Sequence, residues 1–154
     1  MDGSFLSDYL GVVSIIILVL ANGFFVAAEF SMVSVRRTRI AELVARGETG
    51  AVAVQKAIEN PDRVISATQL GITLASLALG WVGEPALSHL IYPIITLFPG
   101  SIQAELSHSL SAAFSFAIIT FLHVVAGELA PKSIALQDPE RTSLFVARPT
   151  LFAE

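Results

Sequence analysis

From Tyr9 to Val35 the chain runs almost unbroken through apolar residues (GVVSIIILVLANGFFVAAEFSMVSV from Gly11), with one carboxylate, Glu29, and no base. Roughly 25 such residues in a helix cross about 30 Å of hydrocarbon with some tilt. A run of this kind leaves little choice, because in lipid every backbone N–H and C=O must find its partner within the segment. The opening Met1-Asp2-Gly3-Ser4 carries an acid where a secretion signal would carry bases, and the run is too long for a signal core, so it reads as a first span, 9–35. The rest of the chain agrees: 54% of the residues are hydrophobic, 14% are charged, and the mean hydropathy is +0.73.

All nine bases fall in two stretches: Arg36, Arg37, Arg39, Arg46, Lys56 and Arg63, then Lys132, Arg141 and Arg148. The start and the 83–106 region hold Asp2, Asp8, Glu84 and Glu105 without a base. By the positive-inside rule the amino terminus and the 83–106 region lie outside, with 36–64 and 129–154 cytoplasmic. An odd number of spans follows. Span two reads as 64–82, less apolar, with Thr68, Gln69, Thr73 and Ser76 and with Trp81 at its outer interface; span three reads as 110–127, ended by Pro131. Between them 85–98, interrupted by Pro93, is too short to span and suits an outer interfacial segment.

Between spans one and two, Ile40, Leu43, Val44, Gly47, Ala51, Val54 and Ile58 recur at three-and-four spacing opposite Arg39, Glu42, Arg46 and Glu48, predicting one amphipathic helix over 38–58 on the inner face. After span three, Asp138-Pro139-Glu140 predicts a helix start, with Asp as cap, Pro at the first helical position and an acid in the first turn. The fold class is therefore all-α integral membrane: three transmembrane helices, juxtamembrane amphipathic helices and a short outer segment. The helix from about 139 is expected to lead into further cytoplasmic sequence.

Ionisable and polar groups inside the spans carry the candidate chemistry. A charged side chain at mid-membrane costs about 2.5–3.5 kcal/mol on insertion scales, so it is found facing a cavity, a partner or an ion. Glu29 either snorkels to the interface or pairs with Arg36, seven residues along its face, or else borders an ion pathway. Glu128 stands beside Gly127, whose carbonyl loses its helical donor because Pro131, four residues on, has no N–H. A freed carbonyl beside a carboxylate suits a hard cation, and membrane carriers build sites where helices unwind; the plainer reading is a helix end with Glu128 hydrated. Gln69, Thr73, Ser76 and Gly80, at spacings of four, three and four, form one stripe that serves helix packing or lines a path. Asn22 shares a face with Glu29 and reads as interhelical glue or as pathway lining, while His123, among aromatics, reads as a hydrogen-bonded core residue. With no cysteine there is no disulfide or thiolate site. No phosphate-binding loop, nucleophile elbow or HExxH supports an enzyme, and the bases follow topology rather than any nucleic-acid footprint.

Asn22-Gly23-Phe24-Phe25-Val26-Ala27-Ala28-Glu29-Phe30, Gln69-Leu70-Gly71-Ile72-Thr73-Leu74 and Gly127-Glu128-Leu129-Ala130-Pro131-Lys132 together resemble the membrane domain of the CorC/cyclin-M family, often labelled hemolysin-like. The resemblance covers nearly the whole chain. It implies a homodimeric plasma-membrane transporter that moves Mg²⁺ out of the cytoplasm against inward Na⁺. It also implies a belt-like helix after span three and, beyond residue 154, a pair of cystathionine-β-synthase domains that bind ATP. In the family the ion is held by span-one hydroxyls, a span-two Asn, and the acid and glycine carbonyl of the GExxPK segment. Glu128 and Gly127 match that last element; elsewhere the chain has Val26 and Ala28 in place of serines, and Ile72, Thr73 and Ser76 in place of asparagines. Thr73, Ser76 and Ser31 are the candidate substitutes. Two other readings stay open: export of an organic cation such as a polyamine, which the same acids could bind, and a non-transporting dimeric scaffold or cation sensor.

Overall fold

The computed structural model describes residues 2–95 and 104–147. Within them the chain is a succession of helices: α1 (Asp2–Ser34), α2 (Arg37–Ala45), α3 (Ala51–Glu59), α4 (Pro61–Ala78), α5 (Glu84–Ile95), α6 (Ala104–Leu122), α7 (Ala130–Gln137) and α8 (Pro139–Ala147). Two π-helical segments join α4 to α5 (Leu79–Gly83) and α6 to α7 (His123–Leu129) without leaving the helical path. Three stretches are long and apolar enough to cross a membrane: Asp8–Ser34, Pro61–Ile95 and His108–Gln137.

The long helix α1 is the hub. It packs against α4, α5, α7, α8 and both π segments. Ile15 and Val19 on α1 meet Leu79 and Ile119 to form the apolar centre of the bundle, with Leu18, Ala86 and Leu87 around it. Ile16, Ile17 and Leu20 on α1, Leu70, Leu74 and Leu77 on α4, and Phe116 and Phe121 on α6 stay exposed. In water such a surface would aggregate; in a bilayer it is the lipid-facing coat.

The expected single helix over 38–58 is instead two. Arg46 is followed by Gly47 at φ +75°, where Gly47 N–H bonds Val44 O at 3.0 Å and Glu48 N–H bonds Leu43 O at 3.0 Å, a Schellman close that ends α2. Gly50 at φ +88° then starts α3. The apolar side folds onto protein: Ile40, Leu43, Ala51, Val54 and Ile58 bury with Val35 and Ala147 in a second core at the basic end of α1. Arg37 caps this hairpin by donating to Ile58 O at 3.0 Å. Asp138 does cap α8 as its sequence predicts, accepting the Arg141 N–H at 3.2 Å.

Spans two and three also differ from their expected limits. Val82 does not end span two: a π turn carries the helix on to Ile95, so most of 85–98 is α5, packed along α6 and the start of α1, and 96–98 lie outside the described residues. Pro131 does not end span three either. The π segment shifts pairing by one residue, so that Ala130 N–H bonds Val125 O, and Pro131 enters as a first-turn residue of α7, a position that tolerates proline.

Candidate functional site

Proline's missing donor leaves its mark one turn back. Residue 131 can supply no N–H to Gly127 O in α register or to Ala126 O in π register. The gap at Gly127 is filled from α1: Asn22 Nδ2 donates to Gly127 O at 2.9 Å, and Asn22 is 1% exposed. Its amide oxygen accepts from Ser76 Oγ of α4 at 3.3 Å, and Ser76 Oγ lies 3.0 Å from His123 Nε2. A hydroxyl has one proton to give. With that proton on Asn22 Oδ1, His123 meets Ser76 through an Nε2–H. One polar chain, Gly127–Asn22–Ser76–His123, thus links all three spans.

Glycines make this closeness feasible. A Cβ on Gly127 would lie 3.2 Å from Asn22 Nδ2 and 3.3 Å from His123 Cδ2. A Cβ on Gly71 would stand 2.6 Å from the Phe25 ring, so that ring fills the place of a side chain on α4, and one on Gly23 would meet Pro131 Cγ at 2.9 Å. The three segments that resembled one family therefore interlock: Asn22 docks on Gly127, Gly23 on Pro131 and Phe25 on Gly71. Depth follows from helix rise. Asn22 stands twelve residues before Ser34, the last residue of α1 and next to the basic stretch, about 18 Å at 1.5 Å per residue, deep in the bilayer rather than near its basic side.

The other candidate residues are placed differently. Glu128, next to the polar chain, is exposed on the single chain instead of facing an enclosed cavity. Gln69 and Thr73 are exposed too, so the stripe divides, with Ser76 turned into the bundle and these two outward. Glu29 is half-buried; Ser31 is fully buried and spends its hydroxyl on Ala28 O of its own helix at 3.2 Å. Lys132 sits 4.5 Å over the Phe30 ring, which holds its charge against α1. Gly127 O, read as a free carbonyl, is in fact partnered by Asn22, with one lone pair left to offer. Among the described residues no three His, Asp or Glu side chains converge as a metal cluster. The oxygens on offer are a carbonyl, an amide and a hydroxyl, with one carboxylate beside them.

The family profile described as "Cyclin M transmembrane N-terminal domain" matches residues 13–154. The chain belongs to the cyclin-M transmembrane domain family. It is 41% identical over 145 residues to the UPF0053 protein YhdP of Bacillus subtilis, covering 94% of this chain and 32% of that relative. It is 44% identical over 133 residues to YhdT of the same organism (86% and 28%) and 41% identical over 136 residues to Rv1841c of Mycobacterium tuberculosis (88% and 38%). The chain thus spans about a third of the length of these cyclin-M relatives. His123 is the residue that sequence reasoning had set aside as core. Its signal was the spacing of four to Gly127, which puts both on one face of a helix.

Proposed function

We propose that this domain is the membrane part of a Mg²⁺ transporter, exporting Mg²⁺ from the cytoplasm in exchange for inward Na⁺, and that it works as a homodimer in the plasma membrane with its amino terminus outside. The observation that supports this reading most is the polar chain Gly127–Asn22–Ser76–His123, deep among three apolar spans and adjoining Glu128. Carbonyl, amide, hydroxyl and carboxylate oxygens are the ligands hard cations take. A helix held in π register by a proline is the kind of irregular backbone at which carriers bind ions. In this reading Glu128 and the second lone pair of Gly127 O hold the ion, Ser76 and Asn22 line its path, and Glu29 and Ser31 support the basic side.

Glu128 also supports the dimer. An exposed carboxylate at this depth costs several kcal/mol on lipid, and a second copy is what would cover it. The test is Mg²⁺ flux from loaded liposomes carrying the full-length protein, with a Na⁺ gradient imposed or absent. Glu128→Gln is expected to lower flux by about tenfold or more, since a neutral amide cannot replace the charge. Flux at the wild-type level would overturn the assignment. Putrescine competing better than Mg²⁺ would turn the same site into an organic-cation exporter.

A further inference from the structure

Beyond the polar chain, toward the base-free end, two cavities follow one another between α4–α5 and α6. The deeper, about 550 Å³, is lined by Ser76, Glu84, Thr120 and His123 among apolar neighbours. The outer, about 720 Å³, is lined by Glu84, Ser88 and His108 among others. Both share Glu84 and Ala112, so they form one continuous groove. Its walls are two ridges at helical spacing. Ser76, Gly80, Glu84 and Ser88 lie four apart on one side, and His108, Ala112, Phe116 and Thr120 four apart on the other. Small residues, Gly80 and Ala112, stand where the groove is open.

Two details point to an occupant. The Glu84 carboxylate has no hydrogen bond or ion pair among the described residues, and every base of the chain lies in the other stretches. Ser88 is 7% exposed and lines the outer cavity, where its hydroxyl is a further oxygen for water or an ion. Resting on the transport reading above, we infer that this groove is the other half of the cation route: from Ser76 and His123 past Thr120 to Glu84 and Ser88, and out at the base-free end. Glu84 is its relay carboxylate. It draws cations into a low-dielectric cleft whose lining holds no Lys or Arg.

The 154 residues contain no cysteine, which makes introduced thiols readable one at a time. The full-length protein, with any cysteine outside this segment replaced, is reconstituted and treated from the base-free side with a membrane-impermeant cationic thiosulfonate. Thr120→Cys and Ser88→Cys are expected to react about tenfold faster than Phe121→Cys on the lipid face, because only a hydrated thiol ionises; Mg²⁺ should slow both. Glu84→Gln is expected to lower Mg²⁺ flux about tenfold, as loss of a charge that concentrates cations does. If Thr120→Cys reacts no faster than Phe121→Cys, acyl chains fill the groove and the route is wrong, as it is if Glu84→Gln transports normally. In either case the transport reading stands so long as wild-type flux and the Glu128→Gln defect are seen. A wild-type protein without flux overturns both.

Discussion

Asn22 does two jobs with one amide: its nitrogen occupies the acceptor that Pro131 orphans, and its oxygen orients Ser76. Replacing it with Ala leaves Gly127 O buried and unpaired, which costs about 1–3 kcal/mol. The expected result is a clear drop in the detergent melting temperature. Ser76→Ala should cost only about 0.6 kcal/mol, the usual worth of an interhelical hydrogen bond in a membrane protein. Equal losses for the two would mean that the Gly127 contact is not what Asn22 provides. Glycine 71 gives the opposite error: any side chain there drives into the Phe25 ring at 2.6 Å. Gly71→Val is therefore expected to destabilise by about 1–3 kcal/mol through overpacking, and Phe25→Ala in the same chain should restore part of it. Asn22 and Gly127 could be named from sequence because an amide in grease and a glycine before Glu-x-x-Pro are conspicuous. That they bond each other was not readable, since nothing in either segment states which helix faces which.

At the level of elements, the spans were legible and their joints were not. Length and apolarity fix a span through backbone hydrogen bonding in lipid, and this holds whatever the neighbours are. A π segment departs from α by one residue per turn, and its residues, Leu79–Gly83 and His123–Leu129, have no composition of their own. Hence spans two and three were ended too early. The α2–α3 break was missed for a different reason: Ile40, Leu43, Val54 and Ile58 keep helical spacing across a turn that only the positive φ of Gly47 and Gly50 betrays. Gly47→Ala should accordingly cost about 1 kcal/mol, the penalty of left-handed geometry on a residue with a Cβ. On the same hairpin Arg39 donates to Glu42 at 2.6 Å and to Glu140 at 3.1 Å, and Arg46 also pairs with Glu42. The hydrogen bond from Arg39, with the charges of Arg39 and Arg46, holds the Glu42 carboxyl below its ordinary value, and Arg39 is raised by the same partner. A lowered carboxyl contributes stability above its unfolded pKa and loses it as pH falls through the folded value. The stability gap between wild type and Glu42→Gln should therefore be small but present at pH 7 and shrink as pH falls through the ordinary glutamate range and then the lowered folded value. High salt should narrow it at pH 7, because the pairs are exposed. A gap that widened in acid would contradict the sign.

On a single chain the whole molecule leaves polar side chains on an otherwise lipid-facing surface. Gln69, Thr73 and Glu128 are exposed on helices that otherwise show lipid Leu, Ile and Phe. Each polar group facing hydrocarbon is a cost, and small or hydrogen-bonding residues are what membrane helices use against one another. If these side chains face a second copy, the outward part of the α4 stripe is an interface, while Ser76, turned inward, belongs to the polar chain. The two roles weighed for that stripe from sequence then fall on different residues of it. Replacing Gln69 and Thr73 together with Leu removes polar partners across the interface without touching the Gly127–Asn22–Ser76–His123 chain. The expected outcome is a larger monomer fraction in single-molecule photobleaching of sparse liposomes, with the detergent melting temperature of the monomer unchanged within about 0.5 kcal/mol of stability. Asn22→Ala should do the reverse, loosening the fold of each copy while leaving pairing in place. A double variant that dimerises like wild type would mean that this face meets lipid after all, and Glu128 would then need another cover than a second chain.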